Sequence, residues 1–297
     1  MIDDMNTKTE EPTLPVIDET NLLPTDKPHT SFSELTMHEE CSWKHMLTYV
    51  KKLGTDKGNI HTVYGHLIHS NIENFLQSGV EPVATPEAVE EQRKKFQAEL
   101  AETEIEYKPE EIEEFFQAGL VALRAFPEWF RAEFPDAEVV GIEVPLYEPV
   151  PPLENRFFKG YIDCVLKMPK KARKGSKKPA EGFNYMVIDW KTTSWGWTVD
   201  KKRDFNKQKQ LAYYKHFISL KYNVPYSDIK CAFVLIKRIV KEDRGPFEIV
   251  PVSLGEGSIG KALDGLKRHL NVLNKSLFLK NRNSCKYCPY KGTVHCT

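Results

Sequence analysis

The chain has 297 residues, 40% hydrophobic and 28% charged, an ordinary balance for a folded domain that excludes collagen-like, fully disordered and small disulfide-scaffold classes. It has no apolar run of about 18 residues, so no transmembrane helix and no membrane partner are expected, and its acidic, polar N-terminus fits neither a secretory signal nor a transit peptide, which points to a cytoplasmic protein. Basic and acidic residues number 42 each, so net charge neither favours nor excludes a nucleic-acid partner.

Residues 1–30 hold seven acids and two lysines, a balance of −5 that leaves +5 on the remainder. A flexible acidic tail is expected there. Ser31-Phe32-Ser33-Glu34 matches a capping box and opens a helix expected to run to about Leu53, before Gly54. A second helix is expected from about His61 to Gln77, with Leu67, Ile68, Ile72, Phe75 and Leu76 on one side. Two acidic helices follow near 86–104 and 109–132, the latter with an apolar stripe of Phe115, Phe116, Leu120, Leu123 and Phe126. Residues 138–148, 157–167, 183–192, 229–238 and 246–252 then read as strands. A helix over about 203–221 separates the third strand from the fourth, and a last helix covers about 258–279. The expectation is one α/β domain over 31–297, made of a helical part (31–135), a mixed-sheet core (136–256) and a C-terminal helix with a cysteine-rich tail (257–297).

Within that plan, Asp163 and Asp189 each close an apolar strand segment, and Lys191 shares a strand face with Asp189. Carboxylates leaving a buried strand need a cation. A hairpin that brings both to one place makes a hard oxygen site suited to Mg²⁺ or Mn²⁺. Lys191 beside it could orient a water or steady phosphate charge. The alternative is a strand-end ion pair with a turn-capping aspartate. Upstream, Gly65 precedes His69 in G-x-x-x-H, and Glu73 follows on the same helical face. His66 lies on nearly that face and competes with His69. Downstream, Gln210 and Tyr214 share a face by the same spacing.

Six cysteines occur, three of them near the end as C-x₂-C-x₇-C: Cys285, Cys288 and Cys296. Three thiolates are incomplete for tetrahedral binding. Cys41 or His295 could supply the fourth ligand, and spacing by itself suits zinc. Cys164 and Cys231 sit in apolar strands and read as core.

The order G-x-x-x-H, G-x-x-D (Gly160 to Asp163), D-x-K and Q-x-x-x-Y resembles the PD-(D/E)XK nuclease superfamily, and within it the RecB-like branch, from about Ser31 to the C-terminus. The resemblance implies a restriction-endonuclease-like fold, a mixed central sheet flanked by helices, and a metal-dependent phosphodiesterase acting on DNA, single-stranded or at duplex ends. It implies that His69, Asp163, Asp189 and the Trp190 carbonyl bind Mg²⁺ or Mn²⁺, that Lys191 is the catalytic lysine, and that Gln210 and Tyr214 support the site. Glu143 is a further candidate carboxylate. AddB-type helicase–nucleases and a CRISPR-associated exonuclease family carry one cysteine before the nuclease core and three after it. By that likeness Cys41, Cys285, Cys288 and Cys296 would hold a [4Fe–4S] cluster, with zinc as the alternative. The same likeness favours an exonuclease working in recombination, end processing or spacer capture, with a recombination or CRISPR-adaptation protein as partner. There is no Walker A sequence, so the chain is no helicase by itself.

Two further segments could touch DNA. Lys170, Lys171, Arg173, Lys174, Lys177 and Lys178 form a cationic loop between the second and third strands, expected beside the metal site and able to hold phosphates. Trp195 and Trp197 follow the D-x-K strand and could stack on bases or pack under the crossover helix. Lys237 and Arg238 end the fourth strand. The rival reading is a non-catalytic DNA-binding or scaffold subunit with a structural metal.

Overall fold

A computed structural model describes residues 29–53, 58–151, 153–171, 181–240 and 244–297, with side chains left out at 153–155. Helix α1 (Phe32–Glu40) follows strand β1 (His29–Ser31), and Ser31 caps it by accepting from the Glu34 amide at 3.2 Å. The helix expected to continue to Leu53 breaks at Cys41, whose backbone is extended. The Cys41 sulfur then accepts from the Lys44 amide and caps a second short helix, α2 (Ser42–His45), before a wider turn at Met46–Val50. Residues 1–28 of the tail expected over 1–30 lie outside the described residues. His29 and Thr30, expected in that tail, instead pair in the sheet.

Helices α3 (Ile60–Ser78), α4 (Pro86–Glu102) and α5 (Pro109–Glu133) come next. Asn59 caps α3 at its start and Gly79, at φ 72°, ends it. Proline occupies the first turn of α4 and α5, where its missing N–H costs nothing. Strands β2 (Glu138–Val150), β3 (Leu153–Pro169) and β4 (Phe183–Thr193) form an antiparallel meander. Helices α6 (Val199–Arg203) and α7 (Phe205–Tyr222) cross to β5 (Ile229–Lys237), which lies parallel to β4. Strand β6 (Phe247–Val252) and helix α8 (Glu256–Asn274) complete the fold, the helix ending short of the expected 279. The sheet is mixed, six-stranded and flanked by helices, in the order β1-β3-β4-β5-β6 with β2 along the other edge of β3.

Strand alternation gives each face its own core. Val187, Phe233 and Leu235 meet Leu211, Tyr213 and Phe217 of α7 and Leu266 of α8. Ile188, Trp190, Val234 and Ile236 meet Leu67, Ile72, Phe116 and Phe126 on the other side.

Two irregularities position chemistry. The β3–β4 ladder runs only from Cys164 to Pro169, while β1 pairs with β3 at Phe157–Lys159. Gly160 to Asp163 therefore lie where the ladder opens. In β2 the register slips between Val139 and Gly141, and Glu143 has φ 47°. That conformation is strained for a non-glycine residue and aims Glu143 away from plain alternation. A Cβ on Gly141 would overlap a methyl of Val144, whose side chain is stiff. Gly141→Ala is thus expected to lose about 1–3 kcal/mol of stability, measured as a lower urea midpoint at unchanged slope.

Candidate active site

The open ladder leaves the Trp190 amide without a β3 carbonyl. Its N–H donates instead to Asp163 Oδ2 at 2.7 Å. One residue back, Asp189 is 1% exposed, and neither carboxylate oxygen has a well-directed hydrogen bond among the described residues. The cation against it is Lys191, with Nζ 2.6 Å from Asp189 Oδ2. Helix α3 brings His69 to this point, Nδ1 standing 3.9 Å from Asp163 Oδ2 and the ring against the Trp190 carbonyl. His66, the competitor, turns outward and meets Glu99 at 3.2 Å.

Two more carboxyls join. Glu73, one turn beyond His69, shares a hydrogen bond with Glu143, and both feel the aspartate charges. Two buried aspartates and two half-buried glutamates thus crowd together, with the Lys191 ammonium against the aspartates. Burial pushes Asp163 up to about 7, with Lys191 working against the rise and Glu143 adding to it. Burial pushes Asp189 up to about 6 and Glu143 to about 7, and raises Glu73. For Lys191, burial opposes the charge, yet Asp189 and Asp163 outweigh it and hold the ammonium above its ordinary range. Burial drives His69 down to about 4, so its imidazole is neutral at pH 7 and offers a lone pair. Crowded, buried and under-bonded oxygens beside a neutral imidazole are the donor set that a hard divalent cation compensates. The residues therefore fit Mg²⁺ or Mn²⁺.

Helix α7 closes the site from the core side. Gln210 Nε2 donates to the Tyr214 hydroxyl at 2.9 Å. Burial and then the Asp189 charge hold the Tyr214 phenol well above its ordinary range. Gly160 makes room for this ring, since a Cβ there would stand 3.2 Å from Tyr214 Cε1. The hairpin, the i,i+4 pairs and G-x-x-D thus converge as read from the sequence. The Glu73–Glu143 pair did not stand out there. Its signal was the His69–Glu73 spacing, and the β2 distortion that completes it has no sequence pattern.

The cationic loop is described only at its first two cations, Lys170 and Lys171. Its base, Lys170, lies seven residues along β3 from Asp163, about 23 Å at the usual rise, and pairs with Asp228 at 2.9 Å. Lys171 is exposed; Arg173, Lys174, Lys177 and Lys178 fall outside the described residues. The two tryptophans divide. Trp197 packs 5.0 Å from Phe233, whereas Trp195 is 65% exposed. Arg238 pairs with Glu114, covers Phe115, and lines a cleft with His61, Tyr64, Thr192, Thr193 and Ser194, next to Lys191 in the chain. Lys237 is half-buried at the end of β5.

At the far end of α1, Cys41, Cys285, Cys288 and Cys296 line one pocket with Trp43 and Tyr290. Asn281 Nδ2 donates to the Glu40 carbonyl, and the Trp43 indole donates to the His295 carbonyl. The His295 side chain is exposed and does not line the pocket, whereas Cys41 does. Among the described residues, no three of these sulfurs come within 4.8 Å of one another. One tetrahedral zinc, at about 2.3 Å per bond, would need sulfurs about 3.8 Å apart. Cys164 and Cys231 are buried in the two cores.

A family model for the PD-(D/E)XK nuclease superfamily matches residues 29–293, most of the chain, and the protein belongs to that superfamily. That membership implies nuclease activity on DNA with a divalent metal. No curated protein gives a significant match. No described helix is long and apolar enough to cross a membrane.

Proposed function

We propose that this PD-(D/E)XK superfamily member is a divalent-metal-dependent DNA exonuclease of the RecB-like kind, serving recombination, end processing or spacer capture. The observation that carries the nuclease reading is the buried Asp189 carboxylate, held by Lys191 and facing Asp163 and His69 with its oxygens otherwise unbonded. His69, Asp163, Asp189 and the Trp190 carbonyl would hold the metal. When bound, it supplies an acidified water and charge for the phosphate. Lys191, kept charged by the two aspartates, orients the attacking water and steadies phosphate charge. Gln210 fixes the Tyr214 hydroxyl, which limits movement of the carboxylates. The Glu73–Glu143 hydrogen bond joins two acids that burial holds above their ordinary range beside Asp163.

Trp195 and the Arg238 cleft lie where the β4 strand emerges, and there they would meet a single strand and its phosphates. Trp195→Ala is expected to weaken single-strand binding about tenfold, in keeping with about 1–3 kcal/mol per stacked base, while kcat is unchanged. Fluorescence anisotropy and steady-state kinetics check this. The basic loop at Lys170 and Lys171, remote from the carboxylates, would add salt-sensitive phosphate contacts. The likeness to cluster-bearing relatives, with all four cysteines lining one pocket, supports a [4Fe–4S] cluster there, with zinc as the alternative.

The test is digestion of end-labelled linear single- and double-stranded DNA and of a closed circle with Mg²⁺ or Mn²⁺, wild type beside Asp189→Ala. Loss of the linear substrates, survival of the circle and a dead variant support the exonuclease. A cut circle makes the enzyme an endonuclease. DNA binding without cleavage by either protein leaves the scaffold reading.

A further inference from the structure

A second buried group of ligating side chains lies outside the active site and outside the cysteine pocket. Glu34, His45 and His269 each place one donor atom within 4.8 Å of the others, and all three are buried. His45 Nε2 stands 2.8 Å from Glu34 Oε1. His38, one turn after Glu34 on α1, packs its ring 4.3 Å from that of His269 and 5.3 Å from that of His45. The His45 and His269 rings are also 5.3 Å apart.

These rings are not satisfied by one another. His38 Nε2, His45 Nδ1 and both nitrogens of His269 are buried with no hydrogen-bond partner among the described residues. A buried unpaired nitrogen costs about 1–3 kcal/mol, and four together need an occupant. Burial pushes His269 down to about 3 and lowers His38. Imidazoles sharing one tetrahedral ion at about 2.1 Å per bond stand with ring centroids about 5 Å apart, close to the 5.3 Å that separates His45 from His38 and from His269. The His45–Glu34 distance would need to open only to about 3.3 Å on such an ion.

We propose that Glu34, His45 and His269, completed by His38, bind a zinc-class cation. Imidazole nitrogen with one carboxylate selects borderline metals such as Zn²⁺ over Mg²⁺, which prefers all-oxygen sites. Three of the donors come from α1–α2 and the fourth from α8, so the ion would tie the first helices to the last one. Its role is structural, since Glu34, His45 and His269 are all buried.

The test uses the full chain, stripped of metal and titrated with Co²⁺, which reports ligand type, and with Zn²⁺. One equivalent of Co²⁺ is expected to give strong tetrahedral absorption without thiolate charge transfer. It persists in Asp163→Asn/Asp189→Asn and is lost in His269→Gln. His38→Gln, at a half-buried position, is expected to weaken Zn²⁺ at least about tenfold and to remove the Zn²⁺-dependent rise in Tm. Long-range ¹H–¹⁵N spectra of wild-type histidines give a readout that needs no variant. Zn²⁺ should move the ring nitrogens of His45 and His269. If those signals stay in place, or if every bound equivalent shows thiolate ligation or is lost with Asp163 and Asp189, the site does not exist.

Discussion

Asp189→Asn is expected to abolish DNA cleavage and, in the absence of metal at pH 8, to melt higher than wild type. Both effects come from one carboxylate. Asp189 is 1% exposed and pushed up to about 6, chiefly by burial, with Asp163 adding to the rise. Below about pH 4 the group is protonated both folded and unfolded, and its environment costs nothing. As pH rises through 6 and 7, the unfolded state has long released the proton while the folded state resists doing so. Metal-free wild type should therefore lose stability between about pH 4 and pH 8. A shift of about two units is worth up to about 3 kcal/mol. Asparagine forgoes the Lys191 contact, so a gain of about 1–2 kcal/mol is the reasonable expectation, or about 3–6 °C in Tm. Metal charge is worth several kcal/mol in the transition state, so removing its ligand should cost about 10³-fold or more in rate. Lys191→Met should be equally inactive but less stable, by about 3 kcal/mol, because it leaves the acids unpaired. Melts in EDTA at pH 5 and pH 8, beside cleavage assays, check both. If Asp189→Asn melts lower than wild type at pH 8 without metal, the carboxylate is not the strained, cation-seeking group described here.

Cys288→Ser is expected to bleach the protein and to free its C-terminal segment while the sheet stays folded. The segment has little core of its own. Tyr290 and Cys296 are buried against Met46 and Leu47, with Trp43 and Phe278 partly covered. Its remaining ties are hydrogen bonds such as those from Asn281 and Ser284 to the Glu40 carbonyl. The proposed cluster would supply much of the order, since ligand binding and folding are linked at such sites. In the variant, iron and visible absorption should be lost, and limited proteolysis beyond Asn274 should quicken at least about tenfold. The two cores against the sheet contain none of these four cysteines, so far-UV dichroism should change little. One zinc per chain and no iron in wild type would exchange the cluster for zinc. No metal at all would leave the quartet as free thiols.

The strands and the D-x-K site were legible because both rest on local pattern. Asp189 and Lys191 share a strand face, and His69 with Glu73 and Gln210 with Tyr214 share helical turns; spacing alone conveys those relations. The break at Cys41 was not legible, because a thiol capping a new helix reads like one more residue of the old one. The Glu143 contact depends on a slipped register and a positive φ, which alternation cannot announce. The distance of Lys170 from Asp163 was not legible, because a hairpin's tip and its open end look alike in sequence; only the ladder, closing at Pro169 and opening before Cys164, separates them. The histidine cluster joins His38 and His45 to His269 from the other end of the chain, and no short-range pattern could bring them together.

The pocket that holds Cys41 beside Cys285, Cys288 and Cys296 has a meaning for the chain when it is not folded. Any group bonded at once to Cys41 and Cys288 makes a ring of about 250 residues, and by the logarithmic dependence on loop length such a closure removes about 5 kcal/mol of freedom from the random coil. A heated molecule that keeps the group would remain a loop with its first helix and last turn still neighbours. Its return to the native state would begin from that loop rather than from a linear coil.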